Sequence, residues 1–141
     1  MRAQSLKLLN EIPGRISDIE LLNILKNKNS KWNYILTLKQ YTDLNDDLIS
    51  EWLNISVRTF RNYKTDSKKK LKENTQEHVV LLLSLFKHGI DVFGTKEDFI
   101  VWLNTENFFL DKNLPIDYMS TISGIRLVED RLTGIEYGDN V

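Results

Sequence analysis

The sequence contains no cysteine among its 141 residues. The chain therefore forms no disulfide, has no thiol nucleophile and lacks the sulfur ligands of the common zinc clusters. We expect no redox chemistry from its side chains. A cysteine-free chain also suits the reducing cytosol, which makes the cytoplasm the expected location.

Long apolar runs are absent as well. No stretch approaches the roughly 20 apolar residues that a membrane-spanning helix needs, and the first residues lead into no apolar signal core. We expect a soluble, unprocessed protein with no membrane partner. At this length, the chain can form one compact domain or two small helical subdomains that share a core.

The overall charge is close to zero, at −1, yet the charges are segregated along the chain. Residues 57–72 are basic and contain a single acidic residue, Asp66, whereas acidic residues outnumber basic ones from Glu106 onward. A nucleic-acid contact would therefore have to come from the basic segment alone.

Sustained period-two alternation, the pattern of a half-buried strand, is also missing, whereas helix signals are frequent. Ser17 and Glu20 have the spacing of a capping box, which predicts a helix that begins there. A second helix is predicted from Lys31 to Tyr41. We predict an all-α fold, with a helical N-terminal region at residues 1–74 and a second helical domain at residues 75–141.

Residues 46–64 have the pattern of a helix-turn-helix. Asp46 suits a helix N-terminus, because its negative charge complements the helix dipole. Asn54 can adopt the left-handed backbone of a sharp turn, and Ser56 can cap the helix that follows. Ser50 is small enough to let that second helix cross closely. The second helix is therefore predicted to be a recognition helix.

The outward face of this second helix carries side chains that can read DNA. Arginine can bind guanine through two hydrogen bonds, asparagine can bind adenine, and lysine can contact phosphates. A plainer alternative stays open, because capped helix pairs are common and a lysine run is usually a solvated surface. With operator DNA as partner, the predicted DNA-binding residues are Ser56, Arg58, Thr59, Arg61, Asn62, Lys64, Lys68, Lys69 and Lys70.

Four more helices are predicted in the C-terminal half. The first runs from about Thr75 to Gly94 and has apolar residues on two sides, so it should contact either the preceding subdomain or another chain. Internal packing is the favoured alternative. The next helix is capped by Thr95, a short one opens at Pro115, and the last runs from about Thr121 to Tyr137.

Catalytic motifs are absent from the sequence. His78 and His88 do not have the spacing of a metal-binding pair on one helical turn, and we expect both to be ordinary surface or boundary residues. The glycines form no phosphate loop, and no serine lies in a nucleophile-elbow sequence. We predict a protein that is not an enzyme, with no catalytic residue, no metal and no cofactor.

The C-terminal half resembles a known domain family, the Xre/MbcA/ParS toxin-binding domain. The similarity covers roughly residues 76–141, and residues 55–63 resemble the Xre-like helix-turn-helix that this family carries upstream. Two positions depart from the family pattern: Asp111 stands where the family usually has glycine, and Phe108 and Phe109 replace smaller residues. The segments that carry the resemblance are residues 91–94, 99–105, 114–115, 124–132 and 134–138.

This resemblance implies an antitoxin of a type II toxin–antitoxin system. The implied partner is a cognate toxin, most often a RES-domain toxin that consumes NAD+, whose active site the antitoxin's C-terminal helix and tail obstruct. The helix-turn-helix commonly represses the antitoxin's own operon. Transferred by position, the toxin-binding residues are Arg126, Glu129, Asp130, Arg131, Glu136, Tyr137, Gly138, Asp139 and Asn140.

Two alternatives accompany this interpretation. The same C-terminal residues could be a solvated helix face with pairs such as Arg126 and Asp130. The chain could also be a stand-alone helix-turn-helix transcription regulator with a C-terminal dimerisation domain. In either case we expect a homodimer, because helix-turn-helix proteins usually read two half-sites.

Overall fold

The computed structural model describes residues 1–27, 33–66 and 70–141, and all regular elements in these ranges are helices. The prediction of an all-α fold is thus confirmed. Two short 3-10 helices, Phe108–Leu110 and Pro115–Tyr118, lie between the last two α-helices. The α-helices are α1 (Ala3–Glu11), α2 (Asp18–Lys26), α3 (Tyr34–Thr42), α4 (Asp46–Leu53), α5 (Val57–Thr65), α6 (Glu73–Phe93), α7 (Lys96–Leu103) and α8 (Ile122–Glu136).

Side-chain caps begin most of these helices where the sequence predicts them. The Ser17 and Glu20 side chains form a reciprocal capping box at α2, as predicted. Helix α3 begins at Tyr34 instead of Lys31, because Asn33 caps it by accepting a hydrogen bond from the Leu36 amide at 2.9 Å. Lys31 itself lies outside the described residues.

Helix α6 is the centre of the core. It packs against α2, α3 and α4 from the N-terminal part and against α7 and α8 from the C-terminal part. Leu81 and Leu85, which lie behind the main apolar stripe, are both buried within this chain. The two-sided apolar pattern thus reflects internal packing, as favoured from the sequence.

Polar contacts fasten the N-terminal segment to α6. The hydroxyl of Ser84 donates to the Pro13 carbonyl at 2.7 Å and accepts from the Ile16 amide at 2.8 Å. The ammonium of Lys87 donates to the carbonyls of Leu9 and Ile12, where α1 ends. These bonds satisfy backbone groups that a helix end leaves unpaired, so α1 and the turn after it are held against the core.

An aromatic cluster joins α6 to α7. The rings of Phe86 and Phe99 meet edge to face with centroids 5.1 Å apart, and Phe93 lies 5.4 Å from Trp102. Such offset and edge contacts favour close packing between the two helices.

No single helix within the described ranges is long and apolar enough to cross a membrane. Helices α6 and α7 together have the length and apolar composition of a span, but the chain bends sharply between them.

Candidate functional site

The α4–α5 pair has the tight turn that the sequence predicts. Asn54 ends α4 in the left-handed region with φ 58°, and the Ser56 hydroxyl accepts a hydrogen bond from the Thr59 amide at 3.0 Å. Ser50 is buried and its hydroxyl donates to the Asp46 carbonyl. Phe60 anchors α5 in the core. The two helices are therefore held in a fixed relation, with one face of α5 exposed.

Three basic side chains converge on the carboxylate of Asp46. Lys64 lies 2.9 Å, Lys39 3.1 Å and Arg61 3.3 Å from its oxygens. The hydrogen bond from Lys64, followed by those from Lys39 and Arg61, lowers the pKa of Asp46 to about 2 although partial burial opposes this. Two of the predicted DNA-binding residues, Arg61 and Lys64, are thus engaged within the protein.

The other predicted DNA-binding residues have different surroundings. Arg58, Asn62 and Lys70 are exposed, whereas Thr59 is half-buried and accepts a hydrogen bond from Ser56. Lys68 and Lys69 lie outside the described residues. The role of α5 in DNA binding stays a prediction, carried mainly by Arg58 and Asn62.

Arg126 on α8 holds the N-terminal segment. Its guanidinium donates to the Ile16 carbonyl at 2.9 Å and pairs with the Asp18 carboxylate at 2.6 Å. In the described structure the partner of Arg126 is therefore Asp18 and not Asp130, the i+4 residue considered from the sequence. The sequence offered no signal for this pair, because its members are separated by 108 positions.

A buried polar cluster lies between α6 and α8. His88 is only 4% exposed, and its Nδ1 donates a hydrogen bond to the Glu129 carboxylate. Its Nε2 lies 3.4 Å from Glu136. The bond to Glu129, together with the charges of both carboxylates, raises the pKa of His88 despite its burial. Glu129 is therefore turned into the protein.

His78 is the second buried histidine on α6. Its Nε2 donates to the Met119 carbonyl at 2.8 Å, and burial lowers the pKa of His78. The prediction that His78 and His88 are surface or boundary residues is wrong. Both are buried because α6 is covered on two sides, and each finds a polar partner there.

The segment after α8 folds back onto its own domain. Arg131 lies 3.4 Å from the Asp139 carboxylate and donates to the Asn140 carbonyl at 3.2 Å. Gly138 supplies the turn, with φ 103°. The Val141 carbonyl accepts bonds from the side chains of Trp102 and Asn107. The tail is thus tied to α7, to α8 and to the loop between them.

That loop, residues 104–114, is organised by Asn107. The Asn107 carbonyl accepts from the Leu110 and Lys112 amides, and its side-chain oxygen accepts from the Phe109 amide at 2.9 Å. Asp111 has φ 53°, which explains why glycine is the usual residue at this place in the family that the sequence resembles.

The predicted toxin-binding residues therefore fall into three groups. Glu129 is buried, and Arg126 and Arg131 are half-buried in the contacts described above. The exposed ones form the end of α8 and the tail, apart from Asp130 on the outer face of the helix. They are Asp130, Glu136, Tyr137, Gly138, Asp139 and Asn140.

Metal-ligating side chains do not gather anywhere in residues 1–27, 33–66 and 70–141: no group of three or more histidine or carboxylate residues could hold an ion there. The sequence contains no cysteine to add to such a group.

Comparison with known families identifies the C-terminal part of the chain. Residues 88–138 match the family model of the antitoxin Xre/MbcA/ParS C-terminal toxin-binding domain. A comparison with curated proteins finds no match to this chain. The matched region spans the end of α6, α7, the Asn107 loop and α8 and ends at Gly138, so it includes the exposed end of α8 but not the last three residues of the tail. Residues 88–138 thus match the toxin-binding domain of Xre/MbcA/ParS antitoxins, and this match supports an antitoxin role for the chain.

Proposed function

We propose that this chain neutralises a cognate toxin by binding it with the C-terminal domain. The observation that carries the proposal is the match of residues 88–138 to an antitoxin toxin-binding domain. The toxin is proposed to be a RES-domain enzyme that consumes NAD+, as in the family that the sequence resembles. The chain itself is proposed to have no catalytic activity.

Occlusion of the toxin's active site is the proposed mechanism. The end of α8 and the tail expose polar and acidic residues, and Tyr137 is 76% exposed there. An exposed aromatic side chain with a polar tip is a common anchor in protein interfaces. Covering the entrance to an active site would then prevent access of the substrate without any chemistry by the antitoxin.

Co-expression with the toxin encoded beside this chain tests the proposal. Toxin alone should arrest growth and deplete cellular NAD+, and the chain should restore both and co-purify with the toxin. The isolated chain should leave NAD+ intact. A neighbouring toxin that neither binds the chain nor is neutralised by it would refute the antitoxin role.

DNA binding by α4 and α5 is the second proposed activity. The fixed α4–α5 turn and the exposed Arg58 and Asn62 favour it, and the complex would then repress its own operon as a dimer. A stand-alone transcription regulator remains the alternative function. It predicts operator binding that is unchanged by the toxin, whereas autoregulation predicts binding that depends on the toxin-to-antitoxin ratio.

A further inference from the structure

Two adjacent phenylalanines stand out on the surface of the C-terminal domain. Phe108 is 79% exposed and Phe109 is 51% exposed, and their rings meet edge to face with centroids 5.5 Å apart. Single exposed apolar residues are normal in proteins, but a contiguous aromatic pair marks an interaction surface. Neither ring contributes to the core.

The loop presents this pair in a fixed conformation. Asn107 is buried and accepts the three loop bonds described above, while Asp111 and Lys112 turn the chain back through the left-handed region. The guanidinium of Arg131 lies 4.0 Å from the centre of the Phe109 ring, a cation–π contact that holds the ring in place. A preorganised loop loses little conformational entropy when it binds.

The surroundings of the pair are acidic. Glu106 and Asp111 are exposed in the same loop, and Asp139 is linked to the Phe109 ring through Arg131. The exposed cation of the loop is Lys112. With three carboxylates against the two cations Lys112 and Arg131, this exposed apolar pair matches a partner that offers an apolar pocket flanked by lysine or arginine.

We propose that the Phe108–Phe109 pair is the anchor through which this chain docks on its toxin, in an apolar pocket with a basic rim. This inference rests on the proposed antitoxin function and adds a residue-level contact to it. A second copy of this chain is the less suitable occupant, because a two-fold contact would bring two loops of net negative charge together.

The test measures binding of the purified chain to a catalytically inactive variant of the adjacent toxin. The double substitution Phe108→Ser, Phe109→Ser should weaken binding by roughly 30-fold or more, as expected for a hot-spot anchor. Val101→Ser provides the matched control: Val101 is 65% exposed on α7 of the same domain, and its removal should change binding by less than about twofold. Glu106→Lys should slow association, and more so at low salt.

Each result has a distinct meaning. If the double variant melts at a lower temperature than wild type, Phe108→Ser alone takes its place, because this variant leaves the contact between Phe109 and Arg131 intact. Equal binding by wild type and both phenylalanine variants would overturn the anchor but leave the antitoxin function standing. Failure of the wild type to bind would refute the antitoxin function itself. Unchanged toxin binding with a shift from dimer to monomer in sedimentation would show that a second copy occupies the pair.

Discussion

At the scale of single residues, Asp46 reduces the positive charge of the proposed DNA-binding surface. Its carboxylate neutralises part of the charge of Lys39, Arg61 and Lys64, and at a pKa of about 2 it stays ionised at any physiological pH. Those same cations would be expected to meet phosphates if α5 lay in the major groove. The carboxylate therefore competes with DNA for them.

We expect Asp46→Asn to raise DNA affinity several-fold and to steepen its salt dependence by about one unit of slope, because one more cation becomes available to phosphate. Asp47→Asn is the matched control, since Asp47 is exposed on the same helical turn and the charge change is identical. Fluorescence anisotropy with promoter DNA at several salt concentrations measures both. Equal gains in the two variants would show that only net charge matters.

His88 makes stability depend on pH near neutrality. The hydrogen bond to Glu129 is the main cause that raises the folded-state pKa of His88 above the usual 6.5, and Glu136 makes a smaller contribution. The protonated form is therefore preferred in the folded state, so the stabilisation is fully present below about pH 6.5 and is lost as pH rises through the folded-state pKa. The melting temperature should fall over this upper range.

His88→Gln should remove this slope, because glutamine keeps a hydrogen-bond donor but does not titrate. Melting curves of wild type and variant from pH 6 to pH 9 test the expectation. His78→Gln serves as the control, since burial lowers the pKa of His78, so its contribution to stability changes in the opposite direction and only below about pH 6.5. A wild-type slope that survives in His88→Gln would assign the pH dependence to other groups.

At the scale of elements, helix α5 should read bases, whereas Lys70, which follows this helix in the chain, should contact phosphate. Arg58→Ala should cost about 1 to 3 kcal/mol of operator affinity and relax specificity at one base position, if its side chain reads a base. Lys70→Ala should weaken specific and non-specific binding alike and reduce the salt slope. Competition with unrelated DNA distinguishes the two effects, and identical behaviour of both variants would contradict a reading role for Arg58.

The proposed toxin-binding surface at the end of α8 can be tested by a single substitution. Glu136 contacts His88 and Asp139 contacts Arg131, so their removal would also disturb the fold. Tyr137→Ala avoids this, and its stability should change by about 0.5 kcal/mol or less. We expect weaker toxin neutralisation in growth assays and an unchanged thermal melt. Ser123→Ala, an exposed position at the other end of α8, should neutralise like wild type.

Local signals made the elements predictable from the sequence, whereas the site depended on long-range contacts. The capping residues Ser17, Ser56, Thr95 and Thr121 act within four residues of themselves, so a short window contains all the necessary information. The pairing of Arg126 with Asp18 has no such local trace, because it depends on how α2 and α8 pack.

At the scale of the whole molecule, packing between helices accounts for the differences between the structure and the sequence predictions. The covering of α6 on both sides buried His78 and His88, which a single helix pattern cannot show. The projection of Phe108 and Phe109 likewise depends on the bonds of Asn107 across the loop. Charge segregation, in contrast, could be read directly and places the basic α5 and the acidic tail on different parts of the chain.

Helix α6 forms hydrogen bonds both with the N-terminal segment and with α8. We therefore expect that the C-terminal domain cannot be exchanged between antitoxins as a separate module by cutting the chain just before α6. A fragment of residues 75–141 would leave Ser84 and Lys87 without the N-terminal carbonyls, and Phe86 without Trp52, whose ring lies 6.2 Å away. We expect this fragment to aggregate or to melt without a sharp transition, as followed by circular dichroism. Chimaeras of two related antitoxins should fold only where the partners of α6 on both sides come from one parent.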